Sequence, residues 1–135
     1  MIGRVIVDTD AIVAVLSEED SLHKVASAKF DELPKPFYTC EAVLSEACFL
    51  VKSSKRRREV LKLFDQGVIK MAFSFNDEIA RVAALMEKYS DVPMSFADAC
   101  LVRMSEILTD SVVFSFDSDF RIYRRNRNEN IPMAW

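Results

Sequence analysis

Apolar residues occur along the chain in two arrangements: short unbroken runs, and longer segments in which they recur every three or four positions. The short runs predict β-strands, and the recurring pattern predicts amphipathic helices. Strands are expected in the run that ends at Val7 and at residues 37–39, 68–73 and 112–116. Strands that alternate with helices favour an α/β fold with a parallel sheet.

The segments between the predicted strands carry the helical pattern. Helices are expected at residues 10–16, 21–33, 41–52, 55–66, 75–89 and 95–108. The last segment, 131–135, is predicted to pack as an edge strand. Because 135 residues make one domain of ordinary size, the whole chain, 1–135, is predicted to be a single domain.

The opening strand ends at an acidic residue, Asp8, and the chain then passes at once into the first helical pattern. Asp8 is therefore predicted to lie at the carboxyl end of a strand, the edge of an open α/β sheet where ligands gather. Either Thr9 or Asp10 is expected to cap the helix that follows.

Two further acids are predicted to reach the same edge. Asp117 follows the strand 112–116, and that strand can lie beside the first one in a parallel sheet. Asp98 stands three residues after Ser95, at the start of a helix, which is also the spacing of a capping box. Capping and metal binding can share one carboxylate, so both interpretations of Asp98 stay open.

Glu46 interrupts the most apolar of the predicted helices, 41–52. That helix is expected to be buried on most of its circumference, where a carboxylate is costly unless it is paired or coordinated. Glu46 is therefore predicted to be functional. Glu41, in the first turn of the same helix, has a structural explanation as a negative charge at a helix N-terminus.

Carboxylates that converge on one edge repel one another, and a cation relieves this repulsion. No plausible set of Cys and His ligands accompanies them, so the donors are oxygens, which favour Mg²⁺ or Mn²⁺ over zinc. Such ions can activate water and stabilise charge at a phosphoryl centre. The acids thus predict a metal site for phosphate chemistry.

The net charge of −3, from 18 basic and 21 acidic residues, argues at first sight against a nucleic-acid partner. Assigning five acids to one metal cluster leaves 16 acidic against 18 basic residues, so the net value hides the distribution. No apolar run is long enough to cross a bilayer and the N-terminus does not resemble a secretory signal, so a cytoplasmic location is expected. The three cysteines are expected to be reduced thiols.

Residues 55–58 are all basic and open the fourth predicted helix, where positive charge opposes the helix dipole. One interpretation is an ordinary solvated face. The other is a contact with RNA backbone or with an acidic partner peptide.

Together, the segments 7–10, 44–47, 96–99 and 114–120 resemble those of the PIN domain family, and within it the small VapC-like toxins of bacterial toxin-antitoxin modules. The resemblance implies a three-layer α/β/α sandwich with a central parallel sheet, and a Mg²⁺- or Mn²⁺-dependent ribonuclease. It also implies a homodimer and inhibition by a cognate antitoxin. The implied catalytic and metal-binding acids are Asp8, Glu46, Asp98 and Asp117, with Asp119 as a further metal ligand.

Two alternatives to a nuclease stay open. The pair Asp8 and Asp10 also resembles the first motif of haloacid-dehalogenase-type phosphatases, in which Asp8 would be the nucleophile. A PIN-like domain can also be a non-catalytic module that binds RNA or protein, although an unused cluster of carboxylates would only cost stability.

Overall fold

The sheet contains four short parallel strands in the computed structural model, which describes residues 3–134. Met1, Ile2 and Trp135 lie outside the described residues, and with them the ends of the predicted domain 1–135 and the last residue of the predicted edge strand. The strands are β1 (Val5–Val7), β2 (Phe37–Thr39), β3 (Ile69–Met71) and β4 (Val112–Phe114). Their order is β3-β2-β1-β4, and every neighbouring pair is parallel.

The pairing of β1 with β4 sets the position of the acids. Val7 lies opposite Phe114, so the two strands end side by side. The backbone amide of Asp8 donates to the carbonyl of Phe114 at 3.0 Å, which continues the pairing by one residue. The expectation that these two strands are neighbours is confirmed.

Six α-helices flank the sheet and complete the α/β/α sandwich. They are α1 (Thr9–Leu16), α2 (His23–Glu32), α3 (Glu41–Leu50), α4 (Ser54–Asp65), α5 (Phe75–Lys88) and α6 (Phe96–Ile107). Helix α1 packs on α2, α3 and α4, whereas α5 packs on α6. The predicted fold class, with its central parallel sheet, is confirmed. No helix within residues 3–134 is both long enough and apolar enough to span a membrane.

The first helix begins one residue earlier than predicted. Its N-cap is Asp8, whose carboxylate accepts a hydrogen bond from the Thr9 amide at 2.7 Å, so the prediction of Thr9 or Asp10 as the cap is wrong. Strand β4 is also shorter than predicted. The Phe116 amide turns away from the sheet and donates to the Asp10 carboxylate at 3.0 Å, which ends the strand before residue 116.

Helix α3 is not buried on most of its circumference, contrary to the prediction. Only Val43 and Ala47 are fully buried, because they form the face that packs on α1, α4 and α6. Phe49 is 77 % exposed and Leu50 is 41 % exposed. The apolar residues of this helix therefore continue onto a face that no other part of residues 3–134 covers.

The segment after β4 forms structure that the sequence pattern did not predict. A 3₁₀ helix (Ser118–Arg121) leads into a small antiparallel hairpin of β5 (Arg124–Arg125) and β6 (Glu129–Asn130). The predicted edge strand is reduced to a single parallel bridge between Met133 and Val113.

Candidate metal centre

A cavity of about 260 Å³ opens where β1 and β4 end, and we call it the acidic cavity. Its wall comes from the start of α1, the middle of α3, the start of α6 and the turn after β4. The acidic residues that line it are Asp8, Asp10, Glu46, Asp98 and Asp117.

Asp8 lies deepest among these acids and is 6 % exposed. One carboxylate oxygen accepts from the Thr9 amide, and the other accepts from the Ser115 hydroxyl at 2.7 Å. Burial raises the pKa of Asp8 to about 8, and the negative charge of Asp10 adds to the effect. The carboxylate is therefore held in one orientation, at an electrostatic cost that a cation would relieve.

Ser115 connects the two strand ends through its side chain. Its hydroxyl donates to Asp8 and accepts from the Asp117 amide at 3.0 Å. Asp117 in turn accepts from the Asp119 amide at 2.9 Å and caps the 3₁₀ helix. The residues after β4 thus form a chain of hydrogen bonds that begins at Asp8.

Asp10 is the acid that the sequence-based site did not include. One of its oxygens accepts from the Phe116 amide, while the other, Oδ1, is buried without a hydrogen-bond partner in residues 3–134. Burial raises the pKa of Asp10 to about 6. The signal in the sequence was the repeated acid in Asp8-Thr9-Asp10, which was interpreted as a helix cap.

Asp98 fulfils the predicted capping box. Its amide donates to the Ser95 hydroxyl at 3.0 Å, and its carboxylate accepts from the Ser95 amide at 3.4 Å. The carboxylate also accepts from the Tyr123 hydroxyl at 2.9 Å, and burial raises the pKa of Asp98. Tyr123 was missed because it lies in the tail, where no residue pattern marks it.

Glu46 lines the acidic cavity but is exposed, so the premise that a buried environment singles it out was wrong. It projects from the uncovered face of α3 at the mouth of the cavity. Asp119 does not line the cavity, and its backbone amide donates a hydrogen bond to the Asp117 carboxylate. The acidic cavity therefore brings together Asp8, Asp10, Glu46, Asp98 and Asp117. Asp119 is not among the residues that line it.

The donors fit a hard divalent cation in type and charge. All are oxygens, and two of the buried ones, Thr9 Oγ1 and Asp10 Oδ1, have no hydrogen-bond partner among the described residues. Within residues 3–134 no three acidic, His or Cys side chains already converge on one point as metal ligands do. The carboxylates of Asp98 and Asp117 cap their own helix starts through one oxygen each, Oδ2 of Asp98 and Oδ1 of Asp117.

A model of the PIN domain matches residues 5–126, and the chain belongs to the PIN domain family. The crystal structure of VapC20 from Mycobacterium tuberculosis, described as a toxin that cleaves the sarcin-ricin loop, has a similar fold. The TM-score is 0.78 at 19 % sequence identity, over 85 % of this chain and 91 % of that one. No curated protein sequence matches the chain significantly. The resemblance to the PIN domain family is confirmed, and the fold is shared with a VapC toxin.

Proposed function

We propose that the protein is a Mg²⁺- or Mn²⁺-dependent endoribonuclease and the toxin of a toxin-antitoxin module. The observation that carries the proposal is the acidic cavity, where mutually repelling carboxylates surround a buried oxygen of Asp10 that has no partner in residues 3–134. Membership of the PIN domain family and the likeness to an RNA-cleaving toxin support it.

The residues divide into ligands and residues that position them. Asp8, Glu46, Asp98 and Asp117 are the proposed catalytic and metal-binding acids, and the structure adds Asp10 to them. A bound Mg²⁺ supplies activation of water and stabilisation of charge at a phosphodiester. Asp119 is proposed to contribute through its amide, which orients the Asp117 carboxylate.

Two positioning contacts prepare the acidic cavity for this chemistry. Ser115 holds the Asp8 carboxylate from one side while the Thr9 amide holds it from the other. Tyr123 fixes an oxygen of Asp98 from the tail of the chain. Because ligands held in place in advance cost less to order when a cation binds, both contacts are expected to increase metal affinity.

A homodimer is proposed through an exposed apolar surface on three helices that adjoin in space. The side chains that form it are Phe49, Leu50, Phe75, Ile79 and Phe96. Phe75 and Phe96 pack edge to face with ring centroids 5.2 Å apart, and α6 contacts both α3 and α5. Contiguous apolar surface of this kind marks protein-protein contacts. As a toxin in the cytoplasm, the protein would also require a cognate antitoxin.

The proposal is tested by measuring metal binding and RNA cleavage on the same preparations. Calorimetry with Mn²⁺ and incubation with ribosomal RNA are compared for wild type, Asp8→Asn and Asp98→Asn. Asp31→Asn, an exposed acid of α2 that does not line the acidic cavity, is the control with the same charge change. Both activities should be lost in the two site variants and kept in the control.

Other outcomes would support the alternatives. A wild type that binds no divalent ion would favour the non-catalytic binding module. A phosphoaspartyl adduct on Asp8 would favour the phosphatase, although both oxygens of Asp8 already accept hydrogen bonds.

A further inference from the structure

A second cavity, of about 360 Å³, lies at the far end of the 3₁₀ helix and differs in charge from the acidic cavity. Its lining residues are Phe120, Arg121, Arg124, Asn130, Ile131 and Met133. Two guanidinium groups and an amide provide hydrogen-bond donors, and the lining includes no acidic residue. The cavity therefore suits an anion.

Arg124 is held in place within this cavity. Its Nη1 donates to the backbone carbonyls of Arg121, Ile122 and Tyr123 at 2.7, 2.9 and 3.0 Å. Its backbone amide donates to the Tyr89 hydroxyl at 2.8 Å. A guanidinium has five N–H groups, so others are left for a ligand, at little further cost in conformational entropy.

Arg121 is exposed and forms no ion pair with any residue of 3–134. The Arg121 guanidinium, unlike that of Arg124, makes no hydrogen bond within residues 3–134. The backbone carbonyl of Arg121 accepts a hydrogen bond from Arg124. The cavity thus combines a cation held by hydrogen bonds, Arg124, with an exposed cation, Arg121, whose guanidinium makes no hydrogen bond or ion pair in residues 3–134.

Further cations extend this charge on the other side of Arg124. A smaller cavity of about 150 Å³ is lined there by Arg81, Lys88 and Arg127, with Glu106 as the only acid in its lining. Glu106 is already paired with Arg103 at 3.1 Å and with the Asn126 amide. We call the cations that line these two cavities the basic band: Arg81, Lys88, Arg121, Arg124 and Arg127.

The basic band begins next to the acidic cavity. Asp117 caps the 3₁₀ helix whose last residue is Arg121. With a rise of about 2 Å per residue, the backbone positions of these two residues are roughly 8 Å apart. Tyr123, between Arg121 and Arg124, donates to Asp98. A polymer bound in the acidic cavity can therefore continue along the basic band.

We propose that the basic band binds backbone phosphates of single-stranded RNA next to the bond that is cleaved. The inference rests on the proposed ribonuclease function. The carboxylates of the acidic cavity repel RNA, and a row of cations beside the cavity offsets that repulsion. Guanidinium groups match phosphate geometry, and contacts to phosphate position a strand without specifying its sequence.

Binding is measured by fluorescence anisotropy with a labelled oligouridylate of about 12 nucleotides, within the range of single-strand site sizes. All proteins carry Asp8→Asn so that cleavage does not interfere. Arg121→Gln/Arg124→Gln is compared with the control variant Lys24→Gln/Lys62→Gln, which removes the same charge from exposed positions of α2 and α4 outside the basic band. Affinity is recorded over a series of KCl concentrations.

The slope of log K against log salt is negative, and each phosphate contact to a single strand contributes about −0.7. Two lost contacts should therefore make the slope less negative by about 1.4. Extrapolated from 1 M salt, this corresponds to roughly 25-fold weaker binding at about 0.1 M KCl. The control variant Lys24→Gln/Lys62→Gln should keep the slope of the Asp8→Asn parent. Arg121→Gln alone, which removes no side-chain hydrogen bond or ion pair within residues 3–134, should make the slope less negative by about 0.7 and leave Tm unchanged.

Unchanged slopes in the Arg121 variants, or an equal change of slope in the control variant, would overturn the proposal. The proposal would also be wrong if these variants left oligouridylate binding unchanged but Arg121→Gln weakened the binding of an oligoglutamate. That result would make an acidic protein the partner of the basic band. Because binding is read without cleavage, a wild type that cuts RNA but fails this test rejects only the basic band. If the wild type cuts no RNA but the basic-band variants weaken RNA binding as expected, only the proposed nuclease function is rejected.

Discussion

The hydroxyl of Ser115 is the contact whose loss tests the organisation of the acidic cavity most directly. Ser115→Ala removes the donor to Asp8 Oδ2 at 2.7 Å and the acceptor of the Asp117 amide at 3.0 Å. Ser115 is fully buried, so water does not replace it. The substitution also removes little volume, and the change in stability therefore reports on the hydrogen bonds.

The magnitude follows from the charge of the partner. A hydrogen bond to a charged group contributes about 1.5–3 kcal/mol, and an amide left without its partner costs about 1 kcal/mol more. We expect Ser115→Ala to lower the free energy of unfolding by about 2–4 kcal/mol in metal-free protein. The loss should be smaller in saturating Mg²⁺, because a cation compensates the charge of Asp8 that Ser115 otherwise stabilises.

Urea denaturation at about pH 9, above the pKa of about 8 that burial gives Asp8, keeps this carboxylate charged and measures both effects in EDTA and in Mg²⁺. Ser118→Ala is the matched control, since Ser118 is exposed and its side chain makes no hydrogen bond in residues 3–134. It should change stability by less than about 0.5 kcal/mol. If Ser115→Ala were as mild as the control, or if Mg²⁺ left its effect unchanged, the proposed role of Ser115 at a metal site would be wrong.

Two further predictions concern charge and assembly. Burial raises the pKa of Asp8 from 3.8 in the unfolded chain to about 8 in the folded protein. Between these pH values the unfolded chain binds fewer protons than the folded one. The stability of metal-free protein should therefore fall as the pH rises from about 5 to 8. Urea midpoints in EDTA that rise or stay flat over this range would contradict it, and Mg²⁺ should flatten the decline. Phe49→Glu places a charge on the exposed apolar surface of α3 and should convert the proposed dimer to a folded monomer in sedimentation velocity. Leu61→Glu on α4, an exposed apolar position outside that surface, should leave the proposed dimer intact. A Phe49→Glu protein that stays dimeric would place the interface elsewhere.

The local pattern of apolar and polar residues was enough to predict which acids lie at the edge of the sheet. Asp8 and Asp98 each lie at the start of a helix that follows a recognisable break, and the apolar run before Asp117 identifies a strand beside the first. The capping box of Ser95 and Asp98 could be predicted for the same reason, since its partners are three residues apart.

Contacts between distant parts of the chain could not be predicted in this way. The apolar composition of α3 predicted burial all round, yet exposure depends on what covers each face, and Glu46 lies on a face that the described chain leaves open. Tyr123 reaches Asp98 over 25 positions from a tail without periodicity. Asp10 was assigned to capping because two acids compete for one helix start, and the N-cap is Asp8.

The contact between Ser115 and Asp8 joins residues 107 positions apart, so it closes almost the whole chain into a loop. During synthesis, Asp8 leaves the ribosome 107 residues ahead of Ser115, its partner after β4. Folding that depends on such distant contacts is slow. A nascent chain that ends before residue 115 therefore cannot assemble the proposed nuclease site.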